Sequence, residues 1–461
     1  MGAAVASLTP GRVSLLALVL GAAFGALVTL QPVSDSDLFW HVETGRRTLA
    51  GELPRVDVFS WTIAGAPVFT DQWLGDLAFA ASQAFGGWRG VLGLRAVAVA
   101  ALLAIVVDTA LRARPGRPAV AVAAALPAIA LSRFSWTDRP ELLGLLCFAI
   151  LVRLLSGGDR ALLWSIPLLL VWSQLHGSFA LGLALLLAAC AARALTSTHD
   201  RWRFVPIAAF AVLVTLLTPS GLAAWTSPGG HFLVPPRFVV EEGVPDARTL
   251  AGVLFLITLG LVIATSLLGR RATLREVAIL IPVAFVALTA ARHTPLLAIA
   301  AAPYFASRWP DPLAAWRART DTTRDAGPFG RAVVVALSAM ALAIAIGLGD
   351  AKVDESGYPR AALAALPAGP GVLNQYDWGG YLIAFAPATP VFIDGRLFPY
   401  LPDVLDDYRA VIGAHPGWQD VAARRGVRAM IVRPSDAIAV RAPERGWRVA
   451  YADATAVVLI K

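Results

Sequence analysis

Long apolar runs separated by short charged bursts fill the first three quarters of the chain. Runs such as 97–107, 119–131 and 181–192 carry no charged residue. They are apolar on every face, which is the pattern of a helix surrounded by lipid or protein rather than by water. Segments of this kind fall at 13–31, 91–111, 118–132, 141–152, 161–174, 177–192, 204–218, 250–268, 276–291, 296–307 and 332–349. Several are shorter than the ~20 residues that cross a bilayer, so their polar ends are expected to dip into the membrane edge. The pattern predicts about eleven transmembrane helices, with nine to thirteen compatible with it.

Two stretches break the pattern. In 32–90 a helix is expected from Asp37 to Ala50, then a Pro54 turn, a short strand over 59–63 and a Gly65 to Pro67 turn. A second helix follows from Asp71 to Phe85, with Trp73, Leu74, Leu77, Ala81 and Ala84 as an apolar stripe suited to the membrane interface. The tail 350–461 holds twelve acidic and twelve basic residues. Its strand-like runs at 372–374, 391–393, 427–432, 447–451 and 456–460 alternate with helical ones, so a small soluble α/β domain is expected. The predicted division is 1–349 as a membrane domain that includes the loop 32–90, and 350–461 as an extracytoplasmic domain. The stretch 308–331 reads as a cytoplasmic linker, and 1–31 as an uncleaved first span, although Arg12 before an apolar core also fits a signal peptide.

Composition agrees. Of 461 residues 57% are hydrophobic and 15% charged, and mean hydropathy is +0.66; soluble chains carry about 25% charged residues. A soluble enzyme is excluded. Net charge is +8, and all basic residues but Lys352 and Lys461 are arginine. The arginines recur between apolar runs instead of clustering on one face, so nucleic acid is not expected as a partner. With a cytoplasmic N-terminus, the inner segments hold 17 arginines in 68 residues and the outer ones, up to residue 295, hold 9 in 104. That threefold difference in density follows the positive-inside rule and puts the tail outside. Cys147 and Cys190 lie in apolar runs and read as buried packing.

The remaining polar residues gather where this topology places the outer rim: Asp35 and Asp37, Arg139 and Glu141, His176 and Ser178, Ser220, Glu241 and Glu242, and Arg292 with His293. Ionisable groups near hydrocarbon cost a few kcal/mol each, which makes them functional candidates. Asp35-Ser36-Asp37 is the sharpest motif. Two carboxylates at this spacing can hold a divalent cation, magnesium or manganese, or one can act as general base while the other orients it. Either could instead cap the following helix. His41 is one helical turn beyond Asp37. No other cofactor is expected, and no glycine-rich nucleotide-phosphate loop is present.

These residues sit in motifs that resemble a bacterial multi-span family assigned to the GT-C superfamily of membrane glycosyltransferases. The motifs are Leu38-Phe39-Trp40-His41 with Thr44-Gly45-Arg46, Pro54-Arg55-Val56-Asp57-Val58-Phe59-Ser60 and Asp71-Gln72-Trp73-Leu74. Further along stand Trp172-Ser173-Gln174-Leu175-His176-Gly177, Pro219-Ser220-Gly221, Tyr376-Asp377-Trp378-Gly379-Gly380-Tyr381-Leu382 and Val391-Phe392-Ile393-Asp394-Gly395-Arg396. The resemblance covers nearly the whole chain. It departs at Gln72, where Glu is expected, so the second-loop carboxylate is Asp71 or Asp76, or is absent. Residues 376–381 also resemble, in composition and place, a motif of oligosaccharyltransferase catalytic subunits.

The resemblance implies a transferase in a bacterial inner membrane, taking a sugar from a polyprenyl-phosphate donor to an extracytoplasmic acceptor with inversion. Asp35, Asp37 and His41 would carry the chemistry. Arg139 and Arg292, followed by His176 and His293, would meet the donor phosphate. Tyr376, Asp377, Trp378, Asp394 and Arg396 would meet the acceptor; core packing is the rival role for Trp378. Two other classes compete. A transporter would carry polar residues at the membrane midplane in two related halves, which the pattern lacks. A catalytically silent binding or scaffold subunit shares the fold without the activity.

Overall fold

A computed structural model describes residues 14–68, 71–197, 201–226, 240–311 and 328–461. Arg12 and most of the expected linker 308–331 lie outside the described residues. The chain divides into two compact units: 1–31 with 92–350, and 32–91 with 351–461. The loop 32–90, grouped by the sequence with the membrane part, packs instead with the tail.

A helix stands at each of the eleven expected positions of the first unit. Among the described residues, five helices are long and apolar enough to cross a membrane: Trp73–Ala113, Pro118–Ser135, Phe179–Thr196, Leu250–Leu268 and Arg331–Leu348. The others, such as Leu15–Val28, Pro140–Leu155, Ser165–Leu175 and Phe204–Thr215, run 11 to 16 residues. Thr294–Arg308 is central, buried over most of its length, and packs on Pro118–Ser132. Leu15–Val28 carries Gly21 and Gly25 against another helix's backbone: a Cβ on them would stand 2.3 Å from the Ala100 carbonyl oxygen and 2.6 Å from that of Ala96. Small residues four apart let two helices approach this closely. Buried Arg95 closes the same contact. It pairs with buried Asp138 at 2.8 Å and donates to the carbonyls of Val28 and Gln31 at the end of the first helix, where cations are favoured.

In the second unit Leu38–Leu49 is a helix, as expected. The second helix of the loop, Trp73–Ala113, continues into the first unit, and its backbone leaves helical geometry at Gly87 (φ 59°, ψ −148°), a conformation that only glycine adopts cheaply. Its packed face differs from the expected stripe. Asp76, Phe79 and Ala80 are buried, whereas Trp73, Leu74 and Leu77 are half-buried and Ala81 and Ala84 exposed. The cause is Gly45, whose missing Cβ admits the backbone of Asp76 and the methyl of Ala80.

The tail forms a four-stranded mixed sheet of order β1-β2-β4-β3, with β1 Val372–Asn374, β2 Ala429–Val432, β3 Arg448–Ala452 and β4 Val457–Ile460. β1 and β2 are parallel and the other pairs antiparallel. The runs 59–63 and 391–393 are not strands. They share a single bridge, Ser60 to Val391. The Asn374 side chain takes the ladder's place: its Nδ2 donates to the Ile393 carbonyl at 2.8 Å, and its Oδ1 accepts from the Phe392 N–H at 2.7 Å. The core joins Trp40 and Phe59 of the loop to Trp378, Leu382, Val391, Ile431 and Val458 of the tail.

Candidate functional site

The first cluster lies in the second unit. Asp37 precedes the Leu38–Leu49 helix, and its side chain makes no capping bond; the Asp37 N–H donates to Asp35 Oδ1 at 3.0 Å. Both residues are half-buried. The carboxylate of Asp37 lies against Gly395, where a Cβ would stand 1.8 Å from Oδ1. A Cβ on Gly380 would stand 2.5 Å from the Ser36 carbonyl oxygen. The two tail motifs therefore flank the acidic pair. Tyr358 is also there: burial, then Asp35, Asp37 and Asp377, push its hydroxyl well above the usual tyrosine range, so it stays protonated.

Four of the expected residues have other partners. His41 is buried and its Nδ1 is 2.6 Å from Asp76 Oδ1, with its ring against Trp40. Its ring thus meets Asp76, a carboxylate of the second helix. Trp378 is 1% exposed, donates from Nε1 to the Gly357 carbonyl and lies under Arg433, so it is core and not an acceptor contact. Asp394 is 0% exposed. It accepts from Arg396 Nε at 2.7 Å, Arg396 Nη2 at 2.5 Å and the Tyr400 hydroxyl at 2.6 Å. Arg396 also holds Asp57 at 2.6 Å. Burial opposes its charge, but Asp394, Tyr400 and Asp57 outweigh burial, and its pKa rises above the usual arginine value. Tyr376 is half-buried, and Asp377 is exposed and paired with Arg433 at 2.8 Å.

The second cluster lies in the first unit. Arg139 Nη2 meets Glu241 Oε2 at 2.9 Å, and its Nε is 3.4 Å from Glu141. Arg292 Nη1 meets Glu242 Oε1 at 2.5 Å and is 4.0 Å from Glu241. Three carboxylates and two guanidinium groups thus share one place. Burial raises the pKa of Glu242, with Arg292 opposing. His293 is held down to about 4 by burial and by Arg292, so at neutral pH it offers a hydrogen bond and no positive charge. His176 Nδ1 accepts from the Ser178 N–H at 3.1 Å, which leaves the proton of a neutral ring on Nε2. The sequence placed Glu141, Glu241 and Glu242 at the rim without giving them to the arginines; only the fold pairs them.

The fit to a cation is thin. Asp35 and Asp37 are two carboxylates, and among the described residues no group of three or more His, Cys, Asp or Glu side chains could hold a metal ion together. An ion there would draw most of its shell from water and substrate oxygens.

No family model matches the chain, and no curated protein sequence does. Solved structures do. The apo oligosaccharyltransferase of Archaeoglobus fulgidus superposes with a TM-score of 0.59 at 13% identity, over 90% of this chain and 69% of that one. The same organism's oligosaccharyltransferase AglB, in complex with an inhibitory peptide and a dolichol-phosphate, gives 0.60 at 12% identity. ArnT from Cupriavidus metallidurans, bound to undecaprenyl phosphate, gives 0.54 at 14% identity, over 96% of this chain and 97% of that one. Over nearly its whole length, this apolar, many-helix chain is a polytopic membrane protein with the GT-C-like fold of these glycosyltransferases.

Proposed function

We propose that the chain is a membrane glycosyltransferase that moves a sugar from a polyprenyl-phosphate donor to an extracytoplasmic acceptor. The observation that carries this reading is the fold, shared end to end with a protein bound to undecaprenyl phosphate. The topology that goes with it has about eleven spans in a bacterial inner membrane, the N-terminus in the cytoplasm and the tail outside.

In this reading Asp37 takes the proton of an acceptor hydroxyl as its oxygen attacks the anomeric carbon. The glycosyl–oxygen bond to phosphate breaks, and the lipid phosphate leaves with the electron pair, inverting the centre. Asp35 orients Asp37 through the Asp37 N–H. Arg139 and Arg292 are the partners of the leaving phosphate, by the bidentate fit of guanidinium to phosphate. Phosphate must share them with Glu241 and Glu242, which also lowers the cost of holding both arginines before the donor binds. His176 Nε2 and the neutral His293 add hydrogen bonds. Magnesium suits a two-carboxylate site because it keeps water and phosphate in its shell; no step is assigned to it. A catalytically silent subunit is the second reading, and what favours it is that both arginines already hold carboxylates.

Asp37→Asn separates the two readings. Asn is nearly isosteric, and Asp37 makes no capping bond that the change could lose, so the fold should survive, while a lost base costs about 10²–10⁴ in rate. Transfer in proteoliposomes from a panel of undecaprenyl-phosphate hexoses, with melting temperature alongside, is the measurement. Wild-type transfer by Asp37→Asn would sink the catalytic assignment.

A further inference from the structure

We infer that the turn 394–396 is a positioning device for the Asp37 carboxylate rather than an acceptor contact. The inference rests on the function proposed above and adds residues to it: Gly395 as the wall against Asp37, and Asp394, Arg396, Tyr400 and Asp57 as the frame that keeps the wall in place.

The wall is backbone. A Cβ on Gly395 would stand 1.8 Å from Asp37 Oδ1 and 2.8 Å from its Cγ, so no side chain other than hydrogen fits without moving the carboxylate. The frame is stiff for reasons of charge and burial. Asp394 is wholly buried and receives the Arg396 N–H at 3.0 Å as well as the two guanidinium bonds and the Tyr400 hydroxyl. Arg396 Nη2 donates to the Tyr400 oxygen at 2.8 Å, and the guanidinium lies 5.1 Å from the centre of the Phe59 ring. Its other arm holds Asp57, whose Oδ2 accepts from the Ser60 N–H and hydroxyl at 2.9 and 2.7 Å. The Gly395 carbonyl accepts from the Tyr376 hydroxyl at 3.4 Å.

Leu397, next in the chain, is buried with φ at +47°. A branched side chain holds such a backbone only where its surroundings over-determine it. Asp394 and Arg396 are spent on one another and on Asp57 and Tyr400, so their chemistry serves the turn. A displacement of about 1 Å in a reacting group can cost ~10²-fold in rate, and a Cβ at Gly395 demands a shift of at least that size.

The test is a double-mutant cycle in proteoliposomes, using the undecaprenyl-phosphate hexose and the envelope acceptor on which the wild type is most active. Gly395→Ala should lower kcat about 10- to 100-fold, leaving the KM for donor and acceptor within twofold. Tyr400→Phe, which removes only the hydroxyl from the frame, should lower kcat several-fold in the same way. Combined with Asp37→Asn, each should cost nothing further, because both act through Asp37. If Asp37→Asn leaves no measurable rate, the cycle runs on Asp37→Glu, which keeps a carboxylate. If Gly395→Ala does not fold, Tyr400→Phe carries the cycle alone.

A raised acceptor KM, losses that multiply with the Asp37 variant, or wild-type kcat in the folded variants would overturn the inference. Wild-type transfer by Asp37→Asn would instead remove the proposed function beneath it, so the two failures are distinct.

Discussion

His293 was expected from the sequence to help bind phosphate, and its charge state depends on what surrounds it. Burial and the neighbouring Arg292 hold its pKa at about 4 against an ordinary 6.5. Between these values the unfolded chain binds a proton that the folded chain refuses. Stability in this group is therefore complete above pH 6.5 and falls as pH drops toward 4, by a few kcal/mol at most. Below 4 the loss levels off. His293→Gln should flatten that part of the melting-temperature profile, and an unchanged slope between pH 6.5 and 4 would assign it to other groups. His41 teaches the same lesson. Its position one turn after Asp37 was legible; that its ring turns to Asp76, 35 residues away, was not.

At the scale of elements, apolar run length told most of the story. Eleven expected segments became helices, because a long and mostly apolar run leaves the backbone to satisfy itself. How those helices pack was legible only in part. The Gly21 and Gly25 spacing stands in the sequence, but only the fold shows Ala96, Ala100 and Ala104 opposite it. Gly25→Leu drives a branched side chain into the Ala96 carbonyl and the Ala100 methyl, which cannot move away as a flexible side chain could. Overpacking of this kind costs about 1–3 kcal/mol or more, so detergent melting should fall by several degrees or folded protein should be lost. Gly93→Ala, whose Cβ would meet Ile346 at an ordinary 3.4 Å, is the control and should melt like the wild type.

At the scale of the molecule, the second unit is built from two stretches separated by residues 92–350 of the first. Trp40 and Phe59 share a core with Val372, Trp378 and Val458, so neither stretch buries its apolar face alone. Both stretches must therefore lie on one side of the membrane, which the sequence expects to be the outer one. Replacing Cys147 and Cys190 and placing single cysteines at the exposed positions Glu52, Glu444 and Arg270 tests this. In intact cells the first two should label with an impermeant maleimide, and the third only after permeabilisation. Labelling of Glu52 and Glu444 on opposite sides would contradict the shared core itself.

By itself the sequence determined the membrane class, the helix positions, the four strands of the sheet, and the acidic pair with the motifs that flank it in space. The class, the helices, the strands and the acidic pair follow from hydrophobicity and spacing over ten or twenty residues, which are local properties; the flanking motifs came from the family resemblance. The fold decided the rest. Asn374 holds 391–393 in place of a strand, Gly395 stands at Asp37, Trp378 sits in the core, and Arg139 and Arg292 meet glutamates 102 and 50 residues away. Burial and charge partner depend on which distant residues the folded chain brings within hydrogen-bond distance, and no local pattern encodes that.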